Sequence, residues 1–121
     1  MQITQKNFYK KFLGRAGEKK AVEYLKKKGY NVLETNYKTH IGEADIIAKI
    51  SDITVFVEVK TRSNSVFGTP AEAVGYKKQE KYFLLASQYL QKMGLFDAPC
   101  RFDIIEIENG EINHVENAFC M

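Results

Sequence analysis

The segment Ile41–Arg62, IGEADIIAKISDITVFVEVKTR, limits the fold more than any other part of this chain. Ile41 to Ile50 and Ile53 to Thr61 are short runs rich in Ile and Val, and they flank Ser51-Asp52, a two-residue turn signal. This pattern predicts a β-hairpin. With Ser51 and Asp52 as the loop, Ile50 pairs with Ile53, Ala48 with Val55, Ile46 with Val57 and Ala44 with Val59. That face is wholly apolar and belongs in a core. The other face sets Ile47 against Phe56, Asp45 against Glu58 and Glu43 against Lys60. Three carboxylates and an amine thus interrupt the strongest strand signal in the chain.

The remaining elements follow from periodicity. Phe8, Phe12, Ala16, Ala21 and Leu25 recur at near-helical spacing from about Thr4 to Lys28, and Gly29 follows as a stop. YNVLETNYK reads as a strand. RSNSVFG reads as a loop. Thr69, Pro70 and Glu72 form a helix-start signature of N-cap, first-turn proline and capping-box acid, and predict a second helix running to about Met93. RFDIIEIE and INHVENAF read as two strands around an Asn109-Gly110 turn. The predicted order is α-β-β-β-α-β-β, an α/β fold with a mixed central sheet flanked by helices.

With 121 residues, 45% of them hydrophobic, the chain is expected to form one compact domain over residues 1–121. No linker, repeat or low-complexity run divides it. Met1 to Lys6 is polar, with no apolar stretch behind a basic start, and no segment is apolar enough to span a bilayer. The expectation is a cytoplasmic protein with no membrane partner. Cys100 and Cys120 have no metal-ligand spacing and read as free thiols. The formal net charge is only +3, but nine Lys and Arg residues between Lys6 and Lys28 crowd the first helix. That cluster suits either a solvated helix face or a phosphate partner.

The hairpin register places Asp45 across from Glu58, with β-carbons roughly 5 Å apart. Two like charges there repel unless a counter-charge lies between them. A divalent cation is one solution, since carboxylates suit hard ions such as magnesium. Lys60, on the same face as Glu58, can hold a water or a phosphate oxygen beside the ion. The other solution is a set of ordinary cross-strand ion pairs, Glu43 with Lys60 among them. Glu18 falls on the side of the first helix that carries Gly14, Ala21 and Leu25, and an inward acid needs a partner. On the second helix Lys78 shares the stripe of Val74, Tyr82, Leu85 and Tyr89, whereas Lys77 and Lys81 point away from it. Lys78 either reaches the acidic centre or snorkels past the tyrosines.

Asp45 followed by Glu58-Val59-Lys60 resembles the PD-(D/E)xK nuclease pattern, here without its proline. GRAGEKKAVEYLKKKGY, NYKTHIGEADIIA, VFVEVKTR, FGTPAEAVGYKKQEKYFLLASQYL, RFDIIEI and HVENAF occur in the order found in the bacterial YraN-like family. The resemblance covers roughly Gly14 to Phe119. It implies a restriction-endonuclease-like core related to archaeal Holliday-junction resolvases. It further implies Asp45 and Glu58 as metal ligands, the Val59 carbonyl as a third, Lys60 as the catalytic lysine and Glu18 as a helix-borne acid. Glu43 belongs to the family's GExD motif. Ala44 departs from the larger aliphatic residue usual at that position.

The expected activity is magnesium-dependent hydrolysis of phosphodiester bonds, with manganese as a substitute ion and DNA as substrate. Lys11, Arg15 and Lys19 form one flank beside Glu18 for backbone contacts, and Arg62 follows the catalytic strand. His40 and His114 lie outside the constellation. No recognition helix is evident, so selectivity for shape, such as junctions or branched DNA, is expected; junction cutting favours a two-fold homodimer. The rival readings are a non-catalytic nucleic-acid-binding or scaffold protein that kept the fold, and a nuclease acting on RNA.

Overall fold

The computed structural model describes residues 5–62 and 74–120, with side chains described from residue 14 onward. Its elements are α1 (Gln5–Lys27), β1 (Asn31–Lys38), β2 (Glu43–Ile50), β3 (Ile53–Arg62), α2 (Tyr76–Lys92), β4 (Cys100–Glu108) and β5 (Glu111–Phe119). This is the element order read from the sequence. The five strands form one mixed sheet in chain order. All neighbours are antiparallel except β3 and β4, the two strands that α2 connects. A parallel pair needs a crossover long enough to return the chain to the same end of the sheet, and a helix supplies it.

The helices cover opposite faces. Ala21 and Leu25 of α1 pack with Ile46, Ala48, Val55, Val57, Ile105 and Ile107. Tyr82, Leu85, Ala86, Tyr89 and Leu90 of α2 pack with Ala44, Ile47, Phe56, Phe102 and Ile104. Burial on both faces explains why β3 and β4 read as nearly continuous apolar runs. Among the described residues, no helix is long and apolar enough to cross a membrane. Cys100 and Cys120 are both free thiols.

Local sequence sets the element ends. Tyr30 N–H donates to the Leu25 carbonyl at 3.0 Å and Gly29 N–H to the Lys26 carbonyl at 3.1 Å, with Gly29 at φ +92°. That left-handed ending is open to glycine at little steric cost, and Tyr30 and Leu25 share a core across it. Asn109 and Gly110 both take positive φ, which matches the tight turn read between β4 and β5. The inward line of α1 passes through buried Gly17, Ala21 and Leu25, while Ala16 is exposed. A β-carbon on Gly17 would lie 2.3 Å from Thr61 Oγ1, so this glycine lets α1 lie close against the end of β3.

The start of α2 differs from expectation. Gly75 is extended, at φ −67° and ψ 166°, and the described helix begins only at Tyr76. Val74, at 1% exposure, turns into the core. The Gln79 side chain donates to the Val74 carbonyl at 2.7 Å, and Gln79 N–H to that of Gly75 at 2.9 Å. Thr69, Pro70, Glu72 and the SNSVFG loop lie outside the described residues.

Candidate functional site

The hairpin pairs as its period-2 pattern dictates, from Ile50–Ile53 through Ala48–Val55 and Ile47–Phe56 to Ile46–Val57. There the ladder stops. Continued, it would aim the Val59 N–H at the backbone of Ala44. Instead that N–H donates to Asp45 Oδ2 at 2.8 Å. The aspartate side chain thus takes the place of a strand partner, and two expectations change beyond this point. Ala44 is fully buried but packs with the α2-side core, not with Ile46 and Ala48. Glu43 does not pair with Lys60. It stands opposite Lys38 of β1, with its carboxylate 3.9 Å from that ammonium, while Lys60 lies beside Glu106 of β4.

Asp45 and Glu58 nevertheless meet. They line a cleft of about 470 Å³ together with Gly42, Glu43, Lys77, Lys78, Lys81 and Tyr82. One wall is acidic and the other is a row of α2 lysines. Glu58 is only 5% exposed, and a buried carboxylate needs charge-assisted partners. Lys78 Nζ donates to its Oε1 and the Tyr82 hydroxyl to its Oε2. Lys78 therefore reaches the acidic centre. Lys77 and Lys81 are exposed, off the apolar stripe as expected, and line the same cleft. They flank the stripe at helical spacing, and the cleft is wide enough to include that flank.

Electrostatics mark the pair. Burial, followed by the charge of Glu58, pushes the Asp45 carboxyl up to about 7. The Val59 hydrogen bond opposes this rise, the charge of Glu18 adds to it and Lys78 offsets part of it. Burial and the charges of Glu58 and Asp45 also drive the Tyr82 phenol upward, so it stays protonated and serves as a donor. Sequence reasoning put Tyr82 in the inward stripe but gave it no role. The available signal was its i, i+4 spacing from Lys78, which aims both polar ends at one spot.

The other expected site residues divide. Glu18 is half-buried and near enough for its charge to act on Asp45. Arg15 and Lys19 are exposed on α1, and the Lys11 side chain lies outside the described residues. Arg62 holds Glu106 at 2.6 Å with little exposure on either side chain, so its guanidinium is engaged within the fold. His40 is exposed. His114 belongs to a separate buried network: its Nε2 lies 2.7 Å from Asp103 Oδ2, and its Nδ1 lies 3.2 Å from the Tyr24 hydroxyl.

As a donor set, Asp45 and Glu58 offer hard anionic oxygens of the kind magnesium and manganese accept. Among the described residues, no three His, Cys, Asp or Glu side chains gather closely enough to hold an ion. An ion at this pair would need its remaining ligands from backbone carbonyl, water or substrate.

The fold and cleft define a small mixed α/β protein with an acidic pair under a lysine wall, and comparison with known proteins places it further. The model of the Uncharacterised protein family UPF0102 matches residues 17–107, a span that holds Glu18, Asp45, Glu58, Lys78 and Tyr82. A UPF0102 protein of Alkaliphilus oremlandii is 53% identical over 115 residues, covering 90% of this chain and 98% of the relative. One from Clostridioides difficile is 53% identical over 108 residues, covering 88% and 95%. One from Thermodesulfovibrio yellowstonii is 47% identical over 107 residues, with the same coverage of 88% and 95%. The chain belongs to family UPF0102.

Proposed function

We propose that this protein is a metal-dependent nuclease of the PD-(D/E)xK type with a restriction-endonuclease-like core, hydrolysing phosphodiester bonds in DNA and selecting branched or junction structures. The observation that carries this reading is the Asp45–Glu58 pair. Two carboxylates share a cleft, the first is raised toward neutrality by burial and by the second, and three lysines line the same cleft. A site with surplus negative charge beside cationic groups suits a cation and a phosphate together.

Asp45 and Glu58, completed by the Val59 carbonyl, would hold magnesium or manganese. Such an ion polarises a phosphoryl oxygen and acidifies bound water. The chain's own groups supply the rest. Lys60, two residues beyond Glu58 on β3, orients the attacking water and offsets developing negative charge. Glu18, from the other face, acts on the same centre through Asp45 or through outer water. Lys77 and Lys81 hold the sugar-phosphate backbone at the cleft rim, and exposed Arg15 and Lys19 extend that contact. Junction cutting would use two copies related by a two-fold axis.

One observation favours the second reading, a non-catalytic nucleic-acid-binding protein: Glu58 already has a complete set of partners in Lys78 and Tyr82. A cleavage panel separates the two. Duplex, single-stranded, flapped and four-way DNA, with matching RNA, are incubated with magnesium or manganese and either wild type or Asp45→Asn. The nuclease reading expects metal-dependent cleavage by wild type alone. Tight binding with no cleavage of any substrate supports the binding protein instead.

A further inference from the structure

Both carboxylate oxygens of Glu58 are taken, and their two donors differ in freedom. Tyr82 is 1% exposed, and its ring lies edge-on to Phe102 and Phe119, with centroids 6.4 and 5.8 Å away. Its hydroxyl has nowhere to retreat. Lys78 has a side chain 45% exposed, on a flexible stem that can carry the ammonium into the cleft without disturbing the core. A cation that reaches Glu58 from the cleft must therefore remove Lys78, not Tyr82. The displaced ammonium stays beside Lys77 and Lys81, which line the same cleft. Among the described residues, neither of those two lies within ion-pair distance of a carboxylate. Three ammonium groups without a carboxylate partner suit a phosphate.

We propose that Lys78 is an internal counter-cation that competes with the divalent ion for Oε1 of Glu58 and, once displaced, becomes a phosphate ligand. Metal and nucleic acid then bind with positive cooperativity. The proposal rests on the metal reading above and adds the coupling. Without the ion, Lys78 neutralises Glu58 and is withheld from phosphate. With the ion, the same charge turns toward the substrate. Because binding free energies are linked, each ligand must tighten the other by the same factor.

The test titrates Mn²⁺ by calorimetry into wild type, Lys78→Met, Lys78→Arg and Lys77→Met. Lys78→Met should bind Mn²⁺ roughly fivefold tighter, the scale of one partly exposed competing charge. Lys77→Met, which keeps the Glu58 contact, should stay within roughly twofold of wild type because its charge is screened by solvent. Lys78→Arg keeps the positive charge and should bind no tighter than wild type, which holds the test open should the methionine variant fail to fold. A labelled duplex followed by fluorescence anisotropy supplies the second arm, with Ca²⁺ as the added ion. Wild type should bind the duplex more tightly when Ca²⁺ is added, and Lys78→Met should lose that gain. Mn²⁺ affinity in Lys78→Met equal to or weaker than wild type overturns the proposal and leaves the metal reading standing. Absence of Mn²⁺ binding in every protein overturns both.

Discussion

Asp45 and Asp103 each lie where a strand ladder is interrupted, and each accepts a backbone N–H from the neighbouring strand, Val59 at 2.8 Å and Asn117 at 2.9 Å. Their surroundings differ in sign. Arg101 donates twice to Asp103, each at 2.8 Å, His114 Nε2 lies at 2.7 Å, and Tyr30 and Tyr24 close the network around them. Burial alone would raise the Asp103 carboxyl, but the hydrogen bonds from His114, Arg101 and Asn117 outweigh it and hold the group below its ordinary value. Asp45 has Glu58 and Glu18 for neighbours, and it is pushed the other way. Asp103, although fully buried, is matched donor for donor and has nothing left to bind. Asp45 is left with excess negative charge beside an open cleft. The fold thus uses the same backbone device twice, once closed upon itself and once beside an open cleft.

The largest expected contrast is in chemistry. On the proposed nuclease reading, Asp45→Asn should lower metal-dependent cleavage at least a hundredfold, since losing a metal ligand would forfeit several kcal/mol of transition-state stabilisation. Asp103→Asn should keep its cleavage rate per folded molecule. Stability should show the opposite pattern. Removing the Asp103 charge leaves Arg101 with a buried, unmatched partner, and urea denaturation should find a loss of about 3 kcal/mol. Gly17→Ala comes next. Its new methyl group meets Thr61 at the place where α1 approaches β3, and overpacking of this kind costs about 1–3 kcal/mol. Because α1 carries both Glu18 and Tyr24, this change should weaken the Tyr24–His114 contact and reduce the upward pressure on Asp45, both visible by NMR titration.

A further contrast is the dependence of stability on pH. The folded value of Asp45, near 7, lies above its ordinary 3.8, so between those values the folded protein holds the extra proton. Its contribution to stability falls as pH rises from about 4 to 7, then levels off. Asn at position 45 keeps an oxygen for Val59 and removes one like charge. Asp45→Asn should therefore exceed wild type at pH 8, with the gap closing toward pH 4. Asp103 runs in reverse: its contribution is present above the ordinary aspartate value and is lost as pH falls through its depressed folded value. Acid unfolding of the Asp103→Asn protein should lack that component.

The sequence made the hairpin legible because a two-residue turn and a strict period of two leave one register from Ile50–Ile53 to Ile46–Val57. It also brought Asp45 and Glu58 to one site. Legibility ended where a side chain replaced a backbone partner. Period counting assumes that the ladder continues, so it carried Ala44 to the wrong face and paired Glu43 with Lys60. Lys77 and Lys81 lie off the apolar stripe of α2 as read, but that stripe marks the helix axis facing the sheet, not the width of a cleft beside it, so it gave no sign that both line the cleft. The Asp103 network was missed for a different reason. Its members come from positions 24, 30, 101, 114 and 117, on α1, the turn after it, β4 and β5. No local spacing joins them, although Arg101 and Asp103, two apart on one strand face, offered a hint.

The central claim is that the open carboxylate pair holds a divalent cation and the closed network does not. It is tested most directly by the shift in thermal unfolding that added Mn²⁺ produces in wild type, Asp45→Asn and Asp103→Asn. Because an ion that binds only the folded state stabilises it by mass action, wild type and Asp103→Asn should both shift upward by similar amounts, whatever their starting stabilities, and Asp45→Asn should not shift. An equal shift in Asp45→Asn would contradict the account, as would a shift that disappears in Asp103→Asn while Asp45→Asn keeps it.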